Sequence, residues 1–325
     1  MLKKIFKAVA ACVTLCTALL FTGCGGNDQN AVREEFIHIA TGNTTGTYYP
    51  VGGVISEILN TNIEKMHSGV QTTSGSVSNL RLLADDTVEL AIVQNDIANF
   101  AASGTEMFKD ENKYKFDNIK ALAALYQESC QVVTTEASGI QSIADLKGKK
   151  VAVGAEGSGA EANARQILEA YGITYNDIDA QYLSFSAGAK ALKDGTVDAV
   201  FLTAGFPTLA IQDITAQTNI NLLPIDDEHI KALTEKYPFY TKIVIPKGIY
   251  NKFDKDVQTV SVTALLVCNE KVSDDLGYKI TKSLFDNLDT FKNAHPVLSN
   301  FDKKVASGIS GIEVNGGAKK FFDEK

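Results

Sequence analysis

A β–loop–α pattern that occurs twice is the strongest constraint on how this chain of 325 residues can fold. The apolar run 37–40 precedes a Gly/Thr-rich loop and an amphipathic helical segment, and the runs 70–73 and 90–93 continue the alternation. The same order returns with the apolar runs 150–153 and 196–201. Short apolar strands that alternate with helices are typical of parallel α/β sheets. The sequence therefore predicts an α/β fold with two similar parallel sheets and a cleft between them.

The loops that follow the predicted strands are rich in Gly, Thr, Ser and Asn, as at 41–47, 74–76 and 154–159. In open parallel sheets, such loops and the helix N-termini after them form the ligand site. Backbone N–H groups and hydroxyls at helix N-termini bind anions without help from a cationic side chain. Because no Arg lies in these loops, we expect a carboxylate to be held mainly by backbone dipoles and hydroxyls.

Motifs of the common enzyme classes are missing from the sequence. The run 154–159 reads G-x-x-G-x-G and differs from the dinucleotide fingerprint, and neither a phosphate-binding loop nor a nucleophile elbow occurs. The four His residues are scattered, without partners at metal-ligand spacing. We therefore expect no catalytic residue, no cofactor and no metal. The net charge of −8 also argues against a nucleic-acid partner.

The amino-terminal residues have the pattern of an export signal. Residues 1–23 combine three early lysines with an uncharged, largely apolar run, which is short for a bilayer span and typical of a secretory signal. The run ends in Leu-Phe-Thr-Gly-Cys, which resembles the lipobox of bacterial lipoproteins except for Phe21 at the usual aliphatic position. We expect a signal peptide over 1–23, a lipid on Cys24 and a flexible tether over 24–35. An uncleaved signal anchor is the alternative.

Two cysteines lie in the predicted body of the fold, within apolar, strand-like runs. Cys130 and Cys268 are either buried thiols or partners in a disulfide, which an exported compartment would permit. Sequence spacing does not decide between these two states.

Six runs of the sequence carry a resemblance to a known family: ATGNTTGTYYPVGG at 40–53, TSGSVSNLRLL at 73–83, IVQND at 92–96, LYQE at 125–128, DLKGKKVAVG at 145–154 and AGFP at 204–207. In this order, they resemble the TAXI-type solute receptors of TRAP transporters. The resemblance extends over roughly residues 36–320, which is much more of the chain than a single motif match would cover. One departure is Asn315-Gly316-Gly317-Ala318, where the family tends to have His-Pro-Gly-Ala.

The resemblance implies a two-lobed, type II periplasmic-binding-protein-like α/β fold, in which each lobe is a mainly parallel sheet flanked by helices. Lobe I would comprise residues 36–136 plus 262–325, and lobe II residues 137–261, with crossing strands between them. Ser158 and Glu161 also match a helix capping box, and Gln94 and Asp96 are polar ends of a buried strand whose groups need either a ligand or loop backbone. The candidate ligand-binding residues are Thr41, Gly46, Thr47, Tyr48, Ser74, Ser76, Asn79, Gln94, Asp96, Ser158, Gly159, Gly205 and Pro207.

The resemblance also implies a monomeric, extracytoplasmic lipoprotein that captures glutamate, glutamine or a related dicarboxylate or 2-oxoacid. The protein would deliver this solute to the membrane subunits of a TRAP permease, whose transport is driven by an ion gradient. Two other hypotheses stay open. One is a ligand-sensing lipoprotein that signals to a receptor without transport, and the other is a secreted enzyme, which would need a nucleophile–base pair or a metal.

Overall fold

The computed structural model describes residues 34–111, 114 and 116–324. The predicted signal peptide, the lipidation site Cys24 and most of the predicted tether lie outside these residues. Glu35 already belongs to the first strand, so the chain enters the sheet one residue earlier than the predicted tether boundary. No helix within the described residues is long and apolar enough to cross a membrane.

The first third of the fold alternates strands and helices as the sequence pattern predicts. Each helix begins directly after the loop that ends a strand, so its first turn points toward the carboxyl edge of the sheet. The elements are β1 (Glu35–Ala40), α1 (Tyr48–Asn62), β2 (Met66–Gln71), α2 (Ser76–Ala84), β3 (Leu90–Gln94) and α3 (Asn95–Ser103).

The remainder of the chain repeats this alternation between two long strands and ends in a helical segment. Its elements are β4 (Lys120–Thr135), β5 (Lys150–Ala152), α4 (Gly159–Ala170), β6 (Asp179–Gln181), α5 (Phe185–Lys193), β7 (Ala199–Ala204), α6 (Leu209–Thr215), β8 (Ile220–Leu222), α7 (Asp227–Lys236), β9 (Thr241–Ile245), β10 (Val257–Cys268), α8 (Asp274–Asp286), α9 (Leu288–Ala294), α10 (Lys303–Ala306) and α11 (Gly316–Asp323).

The strands form a ten-stranded sheet in the order β2-β1-β3-β10-β4-β7-β5-β6, with β8 paired to β4 and β9 to β10. Within the group β2, β1 and β3 the pairing is parallel, and it is parallel again within β7, β5 and β6. The long strands β4 and β10 are antiparallel to their neighbours. The result is a mixed α/β fold of the predicted class, with two parallel groups joined through two long strands.

The long strands connect the two groups because each pairs with a different neighbour at its two ends. In β10, residues 264–268 pair with β3 and residues 257–261 pair with β9. In β4, residues 120–129 pair with β10, and the other end, residues 129–135, pairs with β7 and β8. β4 and β10 therefore run from one parallel group to the other, and the division into lobes at 136/137 and 261/262 stays a prediction.

Apolar side chains bury both faces of the sheet. On one face, Ile55 of α1 packs in a cluster with Leu266 of β10 and Leu284 of α8. On the other, Leu80 of α2 and Ile167 of α4 belong to one cluster that extends over both strand groups. The sheet is therefore covered on both sides, as expected for parallel strands that read as continuous apolar runs.

The two cysteines of the body are free and buried. Cys268 at the end of β10 lies opposite Lys120, whereas Cys130 lies far along β4, next to the Ser129–Ser261 pair. The disulfide that the sequence left open is therefore not formed.

The departure from the family pattern at Asn315 has a local role. Its side-chain oxygen accepts hydrogen bonds from the backbone N–H groups of Gly317 and Ala318, at 2.9 and 3.3 Å, and so caps α11. Gly317 permits close packing of α11 on α8, because an added Cβ would lie 1.8 Å from the Asp274 carbonyl oxygen. The difference therefore concerns the last helix and not the loops that are predicted to bind the ligand.

Candidate functional site

A cavity of about 150 Å³ lies between the loops of the two parallel strand groups. Pockets for drug-sized ligands occupy roughly 300–1,000 Å³, so this cavity suits a smaller solute. Residues from the β1, β2, β3 and β4 region lining it are Gly42, Asn43, Gly46, Thr47, Tyr48, Thr73, Ser74, Gly75, Ser76, Gln94 and Glu128. Residues from the β5–β7 region lining it are Ala155, Ser158, Gly159, Ala160, Ser184, Phe185, Thr203 and Ala204.

Five helices begin at this cavity. Their N-cap residues, which all line it, are Thr47 for α1, Gly75 for α2, Gln94 for α3, Ser158 for α4 and Ser184 for α5. The N-terminus of a helix carries a partial positive charge and N–H groups without intrahelical partners. Helix N-termini that converge in this way can hold an anionic group.

No Lys, Arg or His is present among the described residues that line the cavity. Among these residues, the groups that can attract an anion are backbone N–H dipoles and hydroxyl and amide side chains. That a carboxylate is held in this way stays a prediction.

Glu128 places a carboxyl group in the wall of this otherwise dipole-positive cavity. It lies within β4, is 1% exposed, and its Oε1 accepts a 2.7 Å hydrogen bond from the Tyr48 hydroxyl. That hydroxyl is also 3.3 Å from Ser76 Oγ, which accepts a hydrogen bond from the Gln94 backbone N–H at 3.1 Å. Four lining residues are thus joined into one buried polar chain.

Burial perturbs the acid–base behaviour of this chain. Loss of hydration raises the pKa of the Glu128 carboxyl well above its usual range, and the nearby Asp96 raises it further, while the bond from Tyr48 opposes the shift. Burial also raises the pKa of the Tyr48 hydroxyl. A hydrogen-bond donor or cation from a solute would favour the ionised form of Glu128.

A second polar network closes the cavity between α3 and α4. The side-chain amide of Asn163, on α4, accepts a bond from Gln94 Nε2 at 3.0 Å and donates to Asp96 Oδ2 at 2.9 Å. It also donates to the Tyr240 hydroxyl at 2.8 Å, which in turn donates to Gln166 Oε1 at 2.6 Å. All five side chains are buried.

The structure brings eight of the predicted ligand-binding residues together at the cavity. Most of them lie in the first turn of a helix or in the loop before it, as the order of strands and helices in the sequence predicts. They are Gly46, Thr47, Tyr48, Ser74, Ser76, Gln94, Ser158 and Gly159. A ligand contact by each of these residues stays a prediction.

Five predicted residues lie outside the lining. Thr41 Oγ1 donates to the Gln71 carbonyl at 2.8 Å, and Asn79 Nδ2 donates to the Thr41 and Ile92 carbonyls at 2.6 and 2.8 Å. Both side chains thereby connect strands of the first parallel group. Asp96 Oδ2 accepts a bond from Asn163, a side chain on another helix, and a ligand contact by Asp96 stays a prediction.

Gly205 and Pro207 lie next to the cavity, where they have structural roles. The Gly205 carbonyl accepts a bond from Thr47 Oγ1 at 3.2 Å, which connects the start of α1 to the end of β7. An added Cβ on Gly205 would lie 2.3 Å from Val297 Cγ1, so only glycine fits. Pro207 follows in the turn that leads to α6, after a cis Phe206–Pro207 bond.

Glu128, Asn163 and Ser184 were not among the predicted site residues. Glu128 lies in the middle of a long apolar strand, where the available signals were the LYQE run at 125–128 and the polar run Gln-Glu-Ser. Asn163 lies on the buried face of α4, where a polar residue at an apolar helical position was the available signal.

No group of three or more His, Cys, Asp and Glu side chains within the described part of the chain could hold a metal ion.

Known proteins with the same fold cover most of this chain. The structure superposes with a TM-score of 0.54 on a protein from Bordetella bronchiseptica RB50, at 15% identity, over 88% of this chain and 79% of that one. The alkanesulfonate-binding protein SsuA from Xanthomonas axonopodis pv. citri, bound to MOPS, gives 0.50 at 15% identity, over 90% of this chain and 84% of that one.

PhnD1 from Prochlorococcus marinus (MIT 9301), in complex with methylphosphonate, also gives a TM-score of 0.50, at 12% identity and over 88% of both chains. These likenesses confirm the predicted periplasmic-binding-protein-like fold. A family model described as the NMT1-like family matches residues 39–325, which include every element described above except the first residues of β1. The chain therefore belongs to the NMT1-like family.

Proposed function

We propose that this protein is a non-catalytic, extracytoplasmic solute-binding protein that captures a small carboxylate in the cavity between its two parallel strand groups. The observation that carries the proposal is the convergence of five helix N-termini on one small cavity, without a cationic side chain among its described lining residues. The alkanesulfonate-binding protein and the methylphosphonate complex named above show that proteins of this fold accommodate small oxyanionic solutes.

The solute class is a small carboxylate such as glutamate, glutamine or a related dicarboxylate or 2-oxoacid. A carboxylate would lie against the helix N-termini, where N–H groups are available. The Glu128 carboxyl, held by Tyr48, would then face another part of the solute. An ammonium group there would form an ion pair, which favours amino acids over 2-oxoacids within this class.

Capture would depend on closure of two lobes, with lobe I at 36–136 plus 262–325 and lobe II at 137–261. The pairing of β4 and β10 with different strands at their two ends supports this division. A solute that contacts both lobes binds the closed form better and shifts the population toward it.

The partner would be a TRAP-type membrane permease that recognises the closed form, and the protein would be held at the membrane by a lipid on Cys24. The six sequence runs that resemble TAXI-type receptors support this partner. Uptake into vesicles that contain the permease should require an ion gradient. A requirement for ATP instead would contradict the TRAP assignment, and binding without uptake would favour the ligand-sensing alternative.

Thermal unfolding with a panel of solutes tests the binding proposal. L-Glutamate, L-glutamine, 2-oxoglutarate and succinate at millimolar concentration are the probes, and a solute at 100 times its Kd stabilises the fold by about 2.7 kcal/mol. At least one should raise the unfolding temperature, and no shift with any of them would contradict the ligand class.

Glu128→Gln separates the two solute types. It should weaken amino-acid binding by roughly tenfold or more, in the range expected for a charge-assisted hydrogen bond, and affect 2-oxoglutarate less. Glu57→Gln, at an exposed position of α1, is the matched control and should leave both affinities unchanged.

A further inference from the structure

The contact between α3 and α4 is made of polar side chains that meet from different strand groups. Gln94 and Asp96 stand at the first turn of α3, which follows β3, whereas Asn163 stands on α4, which follows β5. Asn163 is fully buried and bonds to both residues through opposite ends of its amide, at 3.0 and 2.9 Å. Asn163 therefore joins the two sides of the cavity, as does the bond from Thr47 to the Gly205 carbonyl.

The same contact shapes the cavity wall. Gln94 lines the cavity beside Gly159, the first residue of α4, and an added Cβ on Gly159 would lie 1.7 Å from Gln94 Oε1. Because Asn163 accepts from Gln94 Nε2, it determines which way the Gln94 amide faces. The oxygen of that amide is buried and has no protein partner among the described residues, as is also true of Asp96 Oδ1.

We propose that Asn163 is a positioning residue that latches α4 onto α3 when the cleft closes, and thereby fixes the Gln94 side chain in the cavity wall. This inference rests on the proposed function. Separation of α4 from α3 would break the bonds of Asn163 to Gln94 and Asp96 together, while its bond to Tyr240 would stay on the α4 side. A hydrogen-bond network with unpaired members fixes the geometry of the α3–α4 contact more than it stabilises that contact. The bound solute therefore determines whether the closed form predominates.

An exchange of the two polar groups tests the latch directly. Asn163→Asp places a carboxylate opposite Asp96 and should weaken L-glutamate binding roughly 100-fold, because two facing carboxylates repel. Asp96→Asn keeps an acceptor for Asn163 and should change the affinity by less than about threefold. The double variant restores one donor and one acceptor and should recover the affinity to within about fivefold of the parent.

Asn269 offers a matched control away from the cavity. It is also a buried asparagine whose Nδ2 donates to an aspartate, Asp86, at 3.0 Å. Asn269→Ala should lower the thermal stability and leave the affinity for L-glutamate unchanged. Asn163→Ala should lower the affinity by roughly tenfold, in line with the loss of cross-cleft hydrogen bonds.

Small-angle scattering gives a readout that a purely structural role would not change. The radius of gyration, measured with and without L-glutamate, should be larger for Asn163→Asp than for the parent and should return to the parent value in the double variant. Identical radii for all variants, or a double variant no better than Asn163→Asp, would overturn the latch. A parent that fails to bind L-glutamate, but whose radius still follows this pattern, would contradict the solute class and support the latch.

Discussion

The two sides of the cavity present their helix N-termini differently. On the β1–β3 side, α1, α2 and α3 begin at Thr47, Gly75 and Gln94 without a side-chain cap hydrogen bond. On the β5–β7 side, Ser158 and Ser184 accept bonds from N–H groups of their own helices, α4 and α5.

We infer from this difference that the two sides of the cavity have separate roles. On the β5–β7 side, Ser158 and Ser184 each satisfy one first-turn donor of their own helix. On the β1–β3 side no cap side chain does so, although the Ser78 N–H of α2 donates to the Gly157 carbonyl at 3.0 Å. The polar chain of Glu128, Tyr48 and Ser76 lies on the uncapped side as well. We therefore expect the first side to bind the solute and the second side to close over it.

The largest effect should follow from Gly159→Ala. The added Cβ would lie 1.7 Å from Gln94 Oε1 and 2.5 Å from its Cδ, so the Gln94 side chain, which is bonded to Asn163, would have to move. We expect more than a 100-fold loss of affinity for the solute, measured by calorimetry, in a protein that still folds. Gly53→Ala is the control, since its added Cβ would meet nothing within 4 Å. Normal affinity in Gly159→Ala would show that closure does not need this contact.

Tyr48→Phe should have the next largest effect. It removes the hydroxyl that donates to Glu128 at 2.7 Å and leaves a buried carboxyl without that partner. Such a loss costs roughly 1–3 kcal/mol, or about 5- to 150-fold in affinity if the solute depends on Glu128. Tyr49→Phe, at the half-buried neighbouring position, should bind normally, and equal effects of the two variants would contradict the role of Tyr48.

A pair of serine variants tests the comparison of the two sides. Ser158→Ala removes the bond that Ser158 Oγ accepts from the Glu161 N–H at 3.1 Å, so it should lower the free energy of unfolding by about 1 kcal/mol with little change in affinity. Ser76→Ala should instead weaken binding by roughly tenfold, because Ser76 belongs to the cavity's polar chain. Chemical denaturation and calorimetry measure both quantities. The reverse pattern would exchange the roles of the two sides.

The last prediction concerns stability instead of affinity, through the pH dependence that Asp96 contributes. Burial raises its pKa to about 6, and the hydrogen bonds from Asn163 and from nearby backbone N–H groups partly oppose this rise. The folded state therefore holds this proton more tightly than the unfolded state, so Asp96 reduces stability as the pH rises from about 4 to about 6. Asp96→Asn should remove this decline, by roughly 3 kcal/mol over that interval. Parallel stability curves for the two proteins would contradict the assignment.

The strand and helix order could be predicted from the sequence because apolar periodicity is a local property. The helix after β1 and the loop residues Gly46 and Ser74 were found in this way, since a loop between a parallel strand and its helix has a fixed place at the sheet edge. The five converging helix starts follow from that same regularity.

The polar partners inside the site could not be predicted, because they depend on contacts between distant residues. Asp96 meets Asn163 only when α3 and α4 pack together, and no local pattern reports that packing. Glu128 is similar, since its place in the cavity depends on the position of β4 between the two strand groups. For the same reason the sequence left Cys130 and Cys268 undecided, whereas the β4–β10 register separates them.

A crystal structure of the complex with L-glutamate is the most direct test of the central claim. We predict a closed cavity with one solute carboxylate within about 2.7–3.2 Å of backbone N–H groups at the starts of α1 and α2, and the amino group beside Glu128. A solute bound outside the cavity, or a carboxylate paired with a Lys or Arg side chain, would contradict the account.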